Sequence, residues 1–286
     1  MPDPERHKLA FMLAQSVWLM AGLEPHRYTV LMTVSDATKR FSSRVNDYVR
    51  YRPGYPPEVI SLLQTECGLK REHIVADIAS GTGIFTRMLL ENGNRVFAVE
   101  PNPEMRTAGE AFLAGLSKFT SVAGTAEATT LPPQSMDFVT AAQAAHWFDR
   151  RKARGEFVRI LKPGGWTVLV WNERKTDGTP FLREYEQLLL TYGTDYREVR
   201  HERTTAEITE FFAPSTFKEQ IFATSQELDH PSLKGRLVSS SYTPQAGHPN
   251  YAPMLAELLR MFEAHQANGR VSLVYDTRVF YGQLSW

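Results

Sequence analysis

Residues 74–102 read IVADIASGTGIFTRMLLENGNRVFAVEPN, and the order of textures in that stretch decides the fold. An apolar run interrupted by Asp77 leads into a loop of small residues, Ala79-Ser80-Gly81-Thr82-Gly83. Residues 84–92 then carry apolar side chains at helical spacing, and Gly93 stands just past their end, where a left-handed terminus favours glycine. Residues 95–100 form a second apolar run that closes on Glu100. Strand, tight loop, helix and strand make the unit from which parallel sheets are wound, because parallel neighbours need a crossover that packs back onto the sheet. Ala79 raises the first question, since a loop of this kind turns most easily on glycine.

The same alternation continues along the chain. Strands are expected over residues 73–79, 95–100, 119–123, 136–142 and 166–171, and helices over 84–92, 103–116 and 149–161. Pro103 suits a first helical turn, and the KPGG of residues 162–165 reads as a break. Farther on, residues 179–192 and 251–267 have helical spacing, and 217–228 and 270–282 read as strands. The fold class is therefore α/β, a doubly wound, mostly parallel sheet.

Composition limits the function. The chain has 286 residues with Lys plus Arg and Asp plus Glu at 32 each, a formal net charge of zero. With no long basic block, nucleic acid is not an expected partner. Cys67 is the one cysteine, so no internal disulfide or multi-cysteine zinc site can form, and the histidines lack ligand-like pairing with acids; no metal is expected and the cytoplasm is the expected location. Residues 9–23, LAFMLAQSVWLMAGL, follow Arg6, His7 and Lys8 and have the look of a short signal core, but they are too short to span a bilayer and no small-x-small site follows them. They read as an amphipathic helix docked on the body, or, if Met32 is the natural start, as part of an upstream extension.

Doubly wound sheets take ligands where the strand order reverses, at the carboxyl ends of the strands. A dinucleotide fingerprint needs Gly-x-Gly-x-x-Gly, but Gly81-Thr82-Gly83 is followed by Thr86 in the third position. Asp77-x-Ala79-x-Gly81-x-Gly83 instead puts a carboxylate beside the loop. That charge repels a pyrophosphate and suits an ammonium or sulfonium group. The arrangement resembles the class I S-adenosylmethionine-dependent methyltransferases, whose first motif is Asp/Glu-x-Gly/Ala-x-Gly-x-Gly, and Ala79 falls within that pattern.

The resemblance extends over residues 41–171. Glu100, with Pro101 after it, matches the acid that accepts both ribose hydroxyls; Gly124-Thr125-Ala126-Glu127 matches the segment along the adenine; residues 142–146, with Gln143 and His146, match the strand end beside the transferred methyl. AAHWFD (144–149) and LKPGGWTVLVW (161–171) are similar to the small-molecule, type 11 branch that includes trans-aconitate and ubiquinone/menaquinone methyltransferases. FSSRVNDYVRYRPGYP (41–56) resembles the helical lid of such enzymes, which would bring Tyr48, Tyr51, Arg52 and Tyr55 near the pocket; proline-rich packing alone is the other reading.

The resemblance implies a seven-stranded Rossmann-like sheet whose last strand runs antiparallel. With an N-terminal extension expected over 1–33, it implies one methyltransferase domain over 34–286, with a helical lid at 34–72, a cofactor-binding core at 73–175 and a C-terminal half at 176–286 that carries cap insertions at 195–212 and 232–250. S-adenosyl-L-methionine would be held by Asp77, Ala79, Ser80, Gly81, Thr82, Gly83, Glu100, Pro101, Thr125, Ala126, Glu127, Gln143 and Tyr48. The expected reaction is methylation of a small molecule on a carboxylate or hydroxyl, by a monomer or homodimer. A carboxylate calls for Arg44 or Arg52; a hydroxyl calls for a base such as His146, which otherwise packs with Trp147 and Phe148. In SSSYTP (239–244), Tyr242 could orient a polar substrate or simply belong to a surface turn. Arg150, Arg151, Lys152 and Arg154 either face solvent or steer an anion. A nicotinamide-dependent oxidoreductase would share Glu100 but not Asp77, and a non-catalytic S-adenosylmethionine-binding regulator would share the loop.

Overall fold

The computed structural model describes residues 50–199 and 205–285; the expected extension, Arg44, Tyr48 and the first part of the expected lid lie outside them. Helix α1 (Glu58–Glu66) precedes β1 (Ile74–Ile78), α2 (Ile84–Glu91), β2 (Arg95–Val99), α3 (Pro103–Phe112) and β3 (Phe119–Val122). Then come β4 (Met136–Ala142), α4 (Arg150–Ile160), β5 (Leu161–Arg174), α5 (Pro180–Tyr192), α6 (Tyr196–Val199) and α7 (Thr205–Phe212). The chain ends in β6 (Lys218–Leu228), α8 (His230–Val238), α9 (Tyr251–His265) and β7 (Val271–Gly282). One seven-stranded sheet results, in the order β3-β2-β1-β4-β5-β7-β6. The pairs among β1 to β5 are parallel, and β7 runs antiparallel to both its neighbours. The order reverses between β1 and β4, so the loop after β1 opens at the switch point.

Alternation along the strands sends side chains to two faces. Val75 packs with Val59 and Leu63 of α1 and Phe85 and Leu89 of α2, whereas Ala76 and Ile78 pack with Phe157 and Ile160 of α4 and Phe211 and Phe212 of α7. Asp77 shares the face of Val75 and so points toward α2. A third apolar cluster joins α5, α8, α9 and β7. Helices start where a short polar side chain meets a proline: Asn102 accepts from the Met105 amide before Pro103, and Thr179 accepts from Leu182 before Pro180.

Three expectations change. KPGG does not end a segment: β5 runs through it, because the register steps from Met136↔Leu161 to Phe138↔Trp166 and residues 162–165 bulge opposite Asp137. The Lys162 ammonium lies 2.8 Å from Asp137 Oδ1, and Gly164 supplies a positive φ of 79°, so the ladder resumes on the far side. β5 also outlasts β4, since Trp171 to Arg174 pair with Arg278 to Tyr275 of β7. Finally, the expected insertion over 232–250 begins inside a helix that the sequence does not announce: it shares α8, capped by Asp229 accepting from the Ser232 amide. Among the described residues no helix is long and apolar enough to cross a membrane.

Candidate active site

The loop after β1 folds as the small residues allow. Ala79 has φ 52°, Gly81 φ 58° and Gly83 φ 85°. For Ala79 that left-handed conformation costs about 1–2 kcal/mol. At Gly83 a side chain is also excluded by space, because a Cβ would sit 2.6 Å from Leu113 Cδ1. The loop is tied across the sheet by Ser80 N donating to Val99 O at 3.1 Å.

Glu100 completes it. One carboxylate oxygen accepts from the Gly81 amide at 2.9 Å and the other from the Asn102 amide at 2.8 Å. Burial raises its pKa above the usual carboxylate range, against the pull of those amides and of Arg106. Asp77 is deeper, 1% exposed. Thr86 donates to it at 2.6 Å and Thr140 at 2.9 Å. Its carboxyl is pushed up to about 6, first by burial and then by the Glu100 charge, with the two hydroxyls opposing. Thr86, the residue that breaks the dinucleotide fingerprint, is thus the partner that orients Asp77. The buried Thr82 hydroxyl has no hydrogen-bond partner among the described residues.

A cleft of about 690 Å³ opens over this edge of the sheet. Of the residues singled out in the sequence, Asp77, Ala79, Ser80, Gly81, Thr82, Gln143, His146, Trp147, Arg52, Tyr55 and Tyr242 line it. Gln143 is held at φ 57° with its amide donating to Asn172 O at 3.1 Å. His146 stacks on Trp147, ring centroids 4.5 Å apart, in a single 3₁₀ turn after β4. Arg52 donates to Ser239 O at 2.9 Å, which ties the segment before α1 to the segment after α8.

Other expected positions stand away from the cleft wall. Gly83 lies under the loop against Leu113. Ala126 packs in the core with Ile78 and Val99, and the Thr125 hydroxyl accepts from the Ala128 amide within its own turn. Glu127 accepts from the Asp149 amide at 2.9 Å and so steadies the start of α4. Neither Pro101 nor Glu100 lines the cleft, although Glu100 reaches the loop through the Gly81 amide. Tyr51 packs against Gly235, where a Cβ would lie 2.2 Å from its ring. Arg150 pairs with Glu207 and Glu210, and Lys152 with Asp149, so half of the basic run of α4 is engaged by neighbouring acids. Tyr48 is outside the described residues.

The far wall, which the sequence reading missed, is basic and aromatic. Arg174 donates to Glu186 and, at 3.0 Å, to the Tyr196 hydroxyl, and that hydroxyl donates to Glu186 at 2.7 Å. Arg236, 6% exposed, donates to the Tyr275 hydroxyl at 3.2 Å and the Ser240 hydroxyl at 3.1 Å. For the Tyr242 phenol, burial works upward, but the charges of Arg236, Arg52 and Arg174 outweigh it and the pKa falls below the ordinary value. Among the described residues no three His, Cys, Asp or Glu side chains gather as a metal site.

Residues 76–169, from β1 to β5, match the family described as a methyltransferase domain. Over that stretch the chain is similar to a methyltransferase domain. An uncharacterized methyltransferase of Mycobacterium tuberculosis (strain ATCC 25618 / H37Rv) is 38% identical over 163 residues, 57% of this chain and 64% of that protein. The chain thus spans less than two thirds of the length of such relatives. In fold, the chain is similar to a candidate type II methyltransferase from Anaeromyxobacter dehalogenans, with a TM-score of 0.61, 21% identity, and coverage of 82% of this chain and 98% of that one. It is also similar to a Haemonchus contortus phosphoethanolamine N-methyltransferase solved with phosphomonomethylethanolamine and S-adenosylhomocysteine, at a TM-score of 0.52 and 14% identity over 91% of this chain and 61% of that one.

Proposed function

We propose that this chain is an S-adenosylmethionine-dependent methyltransferase acting on a small molecule, with oxygen as the accepting atom. The observation that carries the reading is the pair of acids flanking one loop: Asp77 held by Thr86 and Thr140, and Glu100 hydrogen-bonded to the Gly81 amide. The loop suits the cofactor in its own terms. Thr82 lines the cleft with its buried hydroxyl lacking a partner among the described residues, and left-handed Gly81 lets a ligand approach the backbone closely. Asp77 would favour the cationic end of the cofactor, Glu100 its ribose hydroxyls, and Gln143 and His146 would flank the transferred methyl. Bound there, S-adenosylmethionine supplies an electrophilic methyl group on a sulfonium.

The chain's own contribution is placement and exclusion of water. A near-attack geometry is worth roughly 7–11 kcal/mol. A carboxylate acceptor needs no base, and the cations of the far wall favour that case. A hydroxyl acceptor must lose a proton, and His146 is the imidazole that lines the cleft near the loop. Nicotinamide chemistry fits less well, because Asp77 would face a pyrophosphate across the loop. Turnover of a panel of small organic acids, phenols and alcohols with S-[methyl-³H]adenosylmethionine tests the proposal: labelled product from one class is expected. Saturable binding of S-adenosylhomocysteine without turnover of any class would support a binding regulator instead.

A further inference from the structure

The cations of the cleft are not equivalent. Arg174 is paired with Glu186, Lys175 with Asp276 at 3.3 Å, and Arg278 with Glu219 at 2.6 Å and Glu173 at 3.3 Å. Arg236 lines the same cleft and is among the most buried cations of the chain. Yet among the described residues it meets no carboxylate: its hydrogen bonds go to the neutral hydroxyls of Tyr275 and Ser240. A buried charge without a counter-charge is costly, and a guanidinium offers five donors in a fork that matches a carboxylate. The surroundings hold that fork in place. Its ring neighbour Tyr275 is fixed in β7 opposite Arg174, and Gly235, the preceding residue, lies so close to Tyr51 that a Cβ there would meet the ring at 2.2 Å. Tyr242 and Ser241 line the cleft beside it and bring further hydroxyl donors.

We propose that Arg236 is the substrate-specificity residue of this cleft and that the substrate is an organic acid whose carboxylate pairs with the Arg236 guanidinium. The proposal rests on the methyltransferase reading for the other end of the cleft, but its site lies at a different level of the sheet from Asp77. Asp77 is level with Thr140, which pairs with Val168, whereas Tyr275 is level with Arg174. Six residues of β5, roughly 20 Å of strand, separate those two levels. Arg52 and Tyr242, which line the same cleft, would flank the acid, and the anion would supply the counter-charge that Arg236 lacks among the described residues.

The test uses the full chain saturated with S-adenosylhomocysteine. The linear dicarboxylates from succinate to suberate, and the diols of matching length, are titrated calorimetrically into the wild type, Arg236→Gln and Arg236→Lys, with melting temperature measured alongside. At least one diacid is expected to bind the wild type and raise its melting temperature, while the matching diol does neither. Arg236→Gln should weaken that diacid at least tenfold, Arg236→Lys by less, and neither should change S-adenosylhomocysteine affinity more than twofold. The proposal is overturned if no diacid in the series binds the wild type, if diacid and diol bind alike, or if both variants bind the diacid as the wild type does. It is also overturned if both variants melt lower and lose S-adenosylhomocysteine, which would make Arg236 a structural residue. Failure of the wild type to bind S-adenosylhomocysteine at the outset would strike the methyltransferase reading instead.

Discussion

Asp77→Asn should make the protein less sensitive to pH, and the size of the effect follows from its burial. The carboxyl titrates near 6 in the folded chain and near 3.9 when unfolded, so the folded state holds the proton more tightly. Its contribution to stability is therefore fully present below about pH 4 and is lost as pH rises through about 6, a loss of about 3 kcal/mol by pH 8. Asparagine carries no charge at any of these pH values. It accepts from one of the two threonine hydroxyls and not from both, a pH-independent cost of about 1 kcal/mol. Between pH 5 and pH 8 the stability of Asp77→Asn relative to wild type should thus rise by about 1.5 kcal/mol, from about 0.5 kcal/mol above wild type at pH 5 to about 2 kcal/mol above it at pH 8. Urea unfolding of both proteins across that range measures it. Parallel curves would show that Asp77 is not a strained, buried acid, and the argument for its place beside a cation would fall with it.

Two further outcomes concern the loop and the chemistry. Ala79→Gly should raise stability by about 0.5–1 kcal/mol, because relief of a left-handed alanine exceeds the flexibility that glycine adds to the unfolded chain; an increase of about 1–3 °C in melting temperature is expected, and a decrease would mean the methyl is a needed contact. His146→Asn should leave S-adenosylhomocysteine affinity unchanged. If the acceptor is a hydroxyl it should slow turnover roughly 10²–10⁴-fold, and if it is a carboxylate only slightly, which steady-state kinetics on the acceptor found by the panel will separate.

The first half of the fold was legible because each parallel strand is a short apolar run closed by a turn residue. Met136–Ala142 has the bounds its composition suggests, and the strands over Ile74–Ile78 and Arg95–Val99 each stop one residue short at the carboxyl end. The KPGG bulge was not legible, since what carries the strand across it is Asp137 on the neighbouring strand. The acids of the loop could be read because spacing places Asp77 and Glu100 at successive strand ends. Their partners could not: Thr86 reaches Asp77 across a helical turn and Thr140 across the sheet. The far wall was hidden for the same reason. Arg174, Glu186, Tyr196, Arg236 and Tyr275 are scattered over a hundred residues, and only the insertion of β7 between β5 and β6 brings them together. Arg52 and Tyr242 stand out by local chemistry, and both line the cleft. Glu127 was assigned by motif, and its hydrogen bond to the Asp149 amide gives it work in holding α4.

The account stands most directly on what the loop binds. Calorimetric titration of the wild type with S-adenosylhomocysteine and with NADH, repeated on Glu100→Gln, measures that. We expect saturable binding of S-adenosylhomocysteine, none of NADH, and a loss of about 1–3 kcal/mol in the variant as a charged acceptor becomes a neutral one. Binding of NADH in preference, or S-adenosylhomocysteine affinity untouched by Glu100→Gln, would contradict it.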